Sequence, residues 1–259
     1  MLLAIDVGNT NIVLGGIRNG EQVFSARLKS DRSRTADQYA LDIQGILSLY
    51  GVKPAEIEGG ILSSVVPYLQ SVLPAAVRLL TGIDLMIVGP GIKTGLNIRT
   101  DNPASVGSDL IVAAVAARAK YKTPIAIVDM GTATTLSLVM RDNEYMGGMI
   151  IPGLWTSMNA LSANAAQLPY IDLTGPVKLI GTNTIDCMRS GAINGTAAML
   201  DGLLDRLEDE LGEPVTPVLT GGLSGLIAPV CRHAFHLEPD ILIDGLMLLY
   251  EKNKAGKPE

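Results

Sequence analysis

The stretch "LLAIDVGNTNIVLGG" at residues 2–16 begins and ends as apolar strand, yet its centre carries Asp6, Gly8, Asn9, Thr10 and Asn11. Residues 2–8 and 11–17 read as two strands on either side of a small polar tip. A polar turn, Arg18-Asn19-Gly20-Glu21, leads into a third strand near 22–29. The pattern is that of an antiparallel meander.

The same pattern returns in "PIAIVDMGTATTLSLVMRDNEYMGGMIIPG" at 124–153. It again reads as strand, small-polar tip, strand, turn and third strand. Asp129-Met130-Gly131 repeats Asp6-Val7-Gly8, and Arg141-Asp142-Asn143-Glu144 follows Asp129 by the same 12 positions that separate Arg18-Asn19-Gly20-Glu21 from Asp6. Two such units, 123 positions apart in a chain of 259 residues, imply an internal duplication.

The remaining segments fill out an α/β chain. Residues 35–50 carry Tyr39, Ile43, Ile46, Leu47 and Tyr50 mostly at helical spacing, and 59–67 read as a buried strand ending at Pro67. A helix over 68–81, a strand over 84–90 and an Ala- and Val-rich helix over 103–120 follow. The second half adds helices near 154–166 and 183–212, a strand at 217–222, a short helix in "LSGLIAPV" and an amphipathic helix over 240–253. The halves divide into 1–118 and 119–259, and the tail 254–259 is expected to fray.

Composition narrows the function. Hydrophobic residues make up 47% of the chain and aromatic ones 4%, so the core is aliphatic. A net charge of −6 offers no basic footprint for nucleic acid. Every apolar run is broken by Gly, Pro, Asp or Lys before it could span a membrane. Cys187 and Cys231 have neither metal-site nor disulfide-framework spacing and read as reduced thiols. Met1 leads directly into the first strand, so no signal peptide is expected and the setting reads as cytoplasmic.

The polar tips suit a nucleotide. Phosphate oxygens need backbone N–H groups and small donors at close range, and the accompanying metal ion needs a carboxylate. "DVGNTN" supplies Asp6, Gly8, Asn9, Thr10 and Asn11; "DMGTATT" supplies Asp129, Gly131, Thr132, Thr134 and Thr135; "LTGG" (219–222) gives a third glycine-rich strand end. Each alone is also what a polar hairpin turn looks like. Neither GxxxxGK[ST] nor a GxGxxG opening a helix occurs.

The combination resembles the actin/hexokinase/acetate-kinase superfamily, and within it the type III pantothenate kinase family. The resemblance rests on "DVGNTN" (6–11), "NPASVGSDLIVAAVAA" (102–117), "VDMGTATT" (128–135), "GGMIIPGL" (147–154), "LSANAAQLP" (161–169), "GTNT" (181–184), "SGAING" (190–195), "TGGL" (220–223) and "PDILIDGLMLLYEKN" (239–253). It implies a duplicated actin-like (ribonuclease-H-like) α/β fold with ATP between related halves. It further implies transfer of the ATP γ-phosphate to the 4′-hydroxyl of pantothenate, the first step of coenzyme A synthesis.

Residue by residue, the resemblance assigns Asp6, Val7, Gly8, Asn9, Thr10, Asn11, Ile12 and Val13 to the ATP phosphates, with Asp6 near Mg²⁺. Gly107, Ser108, Asp109 and Leu110 match the substrate segment, and Asp109 matches the catalytic base. Asp129 matches a monovalent cation site, K⁺ or NH₄⁺. Thr132 matches an ATP contact and Thr184 a pantothenate contact. A homodimer is implied, for which the Ala-rich helix over 107–119 offers an apolar face.

Some positions depart from the family pattern. Leu110 stands where many members have Arg, Ser137 where many have Asp, and Thr100 where an aromatic residue is frequent. Arg99 is near enough in sequence to compensate for the missing Arg. Two rival readings follow: a catalytically weakened ATP-binding regulatory relative, and a kinase of another small hydroxylated substrate. Elsewhere, His233 and His236 beside Cys231 suggest a metal pair or, more simply, structural histidines. Lys29, Arg32 and Arg34 read as a solvated basic loop, and "DGLLDRLEDELGE" (201–213) as a solvated helix face.

Overall fold

The computed structural model describes residues 1–175 and 177–254. The expected fraying past Lys254 lies outside the described residues. In chain order the elements are β1 (Leu2–Val7), β2 (Asn11–Arg18), β3 (Glu21–Lys29), α1 (Ala36–Leu49), β4 (Gly59–Ser64), α2 (Leu69–Thr81), β5 (Leu85–Ile87), β6 (Asn97–Ile98) and α3 (Ser108–Lys120). They continue as β7 (Ile125–Met130), β8 (Ala133–Val139), β9 (Glu144–Pro152), α4 (Leu154–Asn164), α5 (Thr184–Leu211), β10 (Thr216–Thr220), α6 (Ser224–Ile227), β11 (His236–Leu237) and α7 (Ile241–Lys254).

The duplication is explicit in the sheets. The first runs β3-β2-β1-β4-β5; the second runs β9-β8-β7-β10-β11, with β6 added beside β9. In each, the first three strands in sequence are antiparallel, and the next two join parallel to the first. Even the irregularities repeat. The register of β2 on β3 shifts between Gly16 and Ile17, leaving Val23 extra; that of β8 on β9 shifts between Leu138 and Val139, leaving Met146 extra. Val23 and Met146 are 48% and 46% exposed, as residues pushed out at matching β-bulges would be.

The copies differ in loop length. Val7 pairs with Ile12 around a tip of residues 8–11, whereas Met130 pairs with Thr134 around the shorter tip 131–133. The next turn compensates. Asn19 and Gly20 form a two-residue hairpin with positive φ (55° and 80°), while the second copy uses the longer turn 141–143, with Asp142 and Asn143 both at φ 59°. The polar Asn-Gly and Asp-Asn pairs are therefore there for their tolerance of the left-handed region.

The chain forms two units. One comprises Met1–Leu96, Asp101–Ala116 and the segment from Asp240; the other comprises Asn97–Thr100 and Ala117–Pro239. Chain order alone, with a cut at 118/119, places the last helix in the second half. Packing places it in the first, because Ile243, Leu246 and Leu249 of α7 share a core with Ala4, Ile61, Val88 and Val112. Gly245 lets α7 approach α3 closely; a Cβ there would collide with the Val112 carbonyl oxygen.

Alternation along β1 assigns its two faces. Leu3, Ile5 and Val7 pack with Tyr39, Ile43 and Leu47 of α1 and Leu69 and Leu73 of α2. Ala4 belongs to the opposite core, with α3 and α7. α1 starts where Thr35 and Gln38 form a reciprocal capping box, which fixes its first turn.

α3 is shorter than the expected 103–120. Pro103 opens only a 3-10 turn, Pro103–Ser105, and Val106 is extended, so the helix begins at Ser108. Ile111, Val112, Ala113, Ala114, Ala116 and Ala117 are all buried within this chain. The apolar face expected to supply a dimer interface is core. Asp201 corrects the reading of 201–213 as a solvated face. It is 7% exposed and accepts hydrogen bonds from the backbone N–H groups of Arg232 and His233.

Candidate active site

In the first unit, β1 carries a carboxylate one residue before its end, where its sheet face changes from apolar to polar. Asp6 follows Ala4 on the face covered by α3 and α7, and is 6% exposed. Parallel pairing places Ser63 of β4 opposite Asp6, so both polar groups lie on that face. Ser63 is fully buried, and its Oγ lies 3.0 Å from Ser108 Oγ at the start of α3. Ser108 Oγ also lies 3.4 Å from the Ser64 carbonyl oxygen, to which it can donate. The sheet thereby fixes the N-terminus of the helix that carries Asp109.

Asp109 is half-buried in the first turn of α3. Its Oδ1 accepts the Leu110 N–H at 2.8 Å. Gly107 leaves room for the carboxylate, since a Cβ there would stand 2.5 Å from Oδ1. Burial raises the Asp109 pKa above the ordinary carboxylate range, against the lowering effect of the Leu110 N–H. A positioned carboxylate whose basicity is raised by burial is the type of group that accepts a proton from an alcohol. Leu110 is half-buried and supplies no charge.

The tip after Asp6 is a closed turn, with Gly8 N–H donating to the Asn11 carbonyl at 2.9 Å. Asn9, Thr10 and Asn11 are exposed, while Val7 and Ile12 are core residues. Val7 and Ile12 can therefore meet a ligand only through their backbone, and Val13 is half-buried. Amide and hydroxyl donors around a buried carboxylate are the donor set that polyphosphate and a divalent cation require.

The second unit repeats the construction. Asp129 pairs with Thr135 of β8 and Thr220 of β10. Gly221 crosses beside it at φ +92°, where a Cβ would stand 2.6 Å from Asp129 Oδ1 and from Met130 N. The "LTGG" strand end is thus a backbone approach to Asp129 that only glycine allows. Gly131 and Thr132 form the exposed tip. Thr156 Oγ1 of α4 donates to the Thr132 carbonyl at 2.8 Å, holding that tip. Asp129 is half-buried, with the Gly221 backbone packed directly against its carboxylate.

Thr184 is the exposed first residue of α5, after the N-cap Asn183, whose side chain accepts the Asp186 N–H. One turn later, Cys187 and Met188 line an apolar cavity of about 540 Å³ bounded also by Thr134, Ile151, Met158 and Leu161.

Three other expectations resolve. Arg99 does not stand in for an arginine at 110; its guanidinium is bonded to Glu144 at 2.6–2.7 Å. Ser137 is buried and pairs with the Tyr145 hydroxyl at 3.1 Å. Among the described residues no three His, Cys, Asp or Glu side chains group around a metal position. His233 Nε2 lies 2.8 Å from Asp205 Oδ1, and the His236 ring packs tilted against that of Tyr121. Ser63 and Thr156 were not anticipated. For Ser63 the available signal was a polar Ser-Ser pair ending an otherwise apolar strand; Thr156 carried none.

Comparison with known proteins places this geometry. The sequence profile of the type III pantothenate kinase family matches residues 2–206. The type III pantothenate kinase of Moorella thermoacetica is 43% identical over 253 residues, covering 98% of this chain and 100% of that protein. That of Geobacter sulfurreducens is 44% identical over 255 residues, with 98% and 100% covered. Among solved structures, component A of (R)-2-hydroxyglutaryl-CoA dehydratase from Acidaminococcus fermentans matches with a TM-score of 0.58 at 17% identity, covering 99% of each chain. That likeness speaks to fold, and with the repeated sheet order it makes this a duplicated actin-like α/β fold. A family profile spanning most of the chain and relatives above 40% identity along nearly all of it lead to one assignment: the chain belongs to the type III pantothenate kinase family.

Proposed function

We propose that this chain phosphorylates pantothenate at its 4′-hydroxyl with ATP, giving 4′-phosphopantothenate in the first step of coenzyme A biosynthesis. Membership of the family along nearly the full length carries this reading. Asp109 is the base: its pKa is raised by burial, and its position is set by α3, which Ser63 anchors to the sheet. It accepts the hydroxyl proton as the oxygen attacks phosphorus. Gly107, Ser108 and Leu110 form the adjoining substrate wall, and Thr184 is a further pantothenate contact.

The tip from Asp6 to Val13 binds the ATP phosphates, with Asn9, Thr10 and Asn11 donating from side chains and Val7, Ile12 and Val13 forming the strand ends that hold the tip. Thr132 of the second tip is a further ATP contact. Mg²⁺, when bound, would neutralise phosphate charge, and Asp6 would hold it through a phosphate oxygen or a water. Asp129 holds a monovalent cation, K⁺ or NH₄⁺, and the close approach of Gly221 fixes the position of its carboxylate. The protein acts as a homodimer. Exposed apolar side chains of the second unit support this: Ile150 (80%), Trp155 (41%), Leu161 (44%) and Ile185 (45%).

The test is direct. Purified protein is incubated with ATP, Mg²⁺ and K⁺, and with pantothenate or a panel of sugars. Phosphopantothenate from the first mixture alone is the expected product. Phosphorylation of a sugar in its place, or no transfer at all, overturns the proposal.

A further inference from the structure

Three basic residues stand at the end of β3 and just after it: Lys29, Arg32 and Arg34. The two arginines are used differently. Arg34 bonds both oxygens of Asp42, and its guanidinium lies 5.4 Å over the Tyr39 ring. It is consumed in holding the loop to α1. Arg32 is exposed and, among the described residues, has no carboxylate partner. Its one hydrogen bond runs from Nη2 to Asn9 Oδ1 at 3.4 Å, long for such a bond. An arginine in an acidic chain, set beside a polar loop and left without a counter-charge, is placed to meet an anion.

The backbone around Arg32 is anchored on both sides. On one side, Ser30 Oγ donates to the Gly8 carbonyl at 2.6 Å, and Ser30 N–H donates to the Thr10 carbonyl at 3.0 Å. The loop is thereby tied to the tip itself. On the other side, Asp31 Oδ1 accepts from the N–H and hydroxyl of Ser33 at 2.9 and 2.6 Å. The buried Tyr39 hydroxyl bridges Asp31, accepting its N–H and donating to its carbonyl, each at 2.9 Å. Asp31 is therefore occupied within its own turn. Its pKa is held below the usual carboxylate range by the Ser33 hydroxyl and then by the Ser33 N–H. The guanidinium is carried on a pre-set loop, so little order has to be gained when it binds.

We infer that Arg32 is a polyphosphate-binding residue, the cation that the 29–35 loop brings to the phosphates held at the 8–11 tip. This rests on the reading that the tip binds the phosphates of ATP. A bidentate guanidinium suits phosphate oxygens and counters the charge that spreads over them during transfer.

Magnesium-loaded ADP and AMP are titrated into the intact protein, Arg32→Ala, Arg32→Lys and Thr10→Ala, with steady-state kinetics on each. Arg32→Ala is expected to lower kcat/KM for ATP about 10- to 100-fold and to weaken ADP in the same direction. It leaves AMP and the KM for pantothenate within about twofold, and Arg32→Lys recovers part of the loss. Because the side chain is exposed, thermal unfolding stays within about 2 °C of the parent. If Thr10→Ala weakens ADP and Arg32→Ala does not, Arg32 has no phosphate role and the tip reading stands. If neither variant changes ADP binding, the tip reading itself fails, and this inference with it. A loss with Arg32→Ala that is equal for ADP and AMP also overturns it, since the contact is then not with the outer phosphates.

Discussion

Ser63 Oγ and Ser108 Oγ lie 3.0 Å apart, and through that contact the β4 residue opposite Asp6 grips the first residue of α3. One hydroxyl pair links the strand end proposed for phosphate to the helix proposed to carry the base. Ser63→Ala removes one partner in a fully buried position. A cost of about 1 kcal/mol in stability is expected, since Ser108 keeps its contact with the Ser64 carbonyl oxygen. The catalytic effect should exceed what that cost implies. A base displaced by a fraction of an ångström loses alignment, so kcat should fall several-fold with KM for ATP little changed. Steady-state kinetics alongside urea unfolding separates the two, and an unchanged kcat would show that α3 is positioned without Ser63.

Asp109 makes a pH prediction with a definite sign. Burial raises its pKa, and a general base must be deprotonated. Activity should fall as pH drops through that raised pKa, so the acid limb of kcat/KM for pantothenate lies above the ordinary carboxylate range. Stability runs the other way. A folded-state pKa above the unfolded one means the native state binds more protons between the two values, so this group's contribution declines as pH rises through that interval. Asp109→Asn should therefore lower kcat by about 10²- to 10⁴-fold while leaving the protein as stable as the parent, or slightly more so, at neutral pH. Near-full turnover by that variant would remove Asp109 from the role of base.

Much of this architecture is legible because its signals are local. The meanders show themselves through Asp-x-Gly tips and polar turns, and α1 through the helical spacing of Tyr39, Ile43, Ile46 and Leu47. What was missed is short or long-range. β6 and β11 have two residues each, too few to show a period. The place of α7 beside β1 depends on contacts across most of the chain, including the fit of Gly245 against Val112. Asp201 looks like any acidic residue on a charged helix, because the N–H groups it caps lie about thirty positions later. At the candidate site, family resemblance pointed to Asp109, but only the strand register reveals Ser63 as its support.

Gly221 is held at φ +92°, with Asp129 Oδ1 where a Cβ would be. Gly221→Ala is doubly opposed, by backbone conformation and by contact, and should cost about 2–4 kcal/mol. Because the intruding methyl points at Asp129, the response to cations should change as well. If Asp129 holds K⁺ or NH₄⁺, the parent is activated by those ions over Na⁺, and the variant loses that preference even at temperatures where it remains folded. Activity of the parent that is indifferent to K⁺, NH₄⁺ and Na⁺ would dismiss the cation role of Asp129.

The buried Asp201 carboxylate couples a stability prediction to a chemical one. It accepts both backbone N–H groups of the 232–233 turn at 2.9–3.0 Å. Asp201→Ala strands those donors and should cost about 2–4 kcal/mol, read as a lower urea midpoint; Asp201→Asn keeps an acceptor and should cost less. The same carboxylate lies near Cys231, whose thiol is pushed up to about 11, first by burial and then by the Asp201 charge. At pH 8 very little of Cys231 is thiolate, so a disulfide reagent should label the exposed Cys187 first and Cys231 slowly. Asp201→Asn removes the charge without emptying the site, so Cys231 should react faster there than in the parent. If Cys231 reacts as fast as Cys187 in the folded parent, its thiol is not held in the protonated form by this environment.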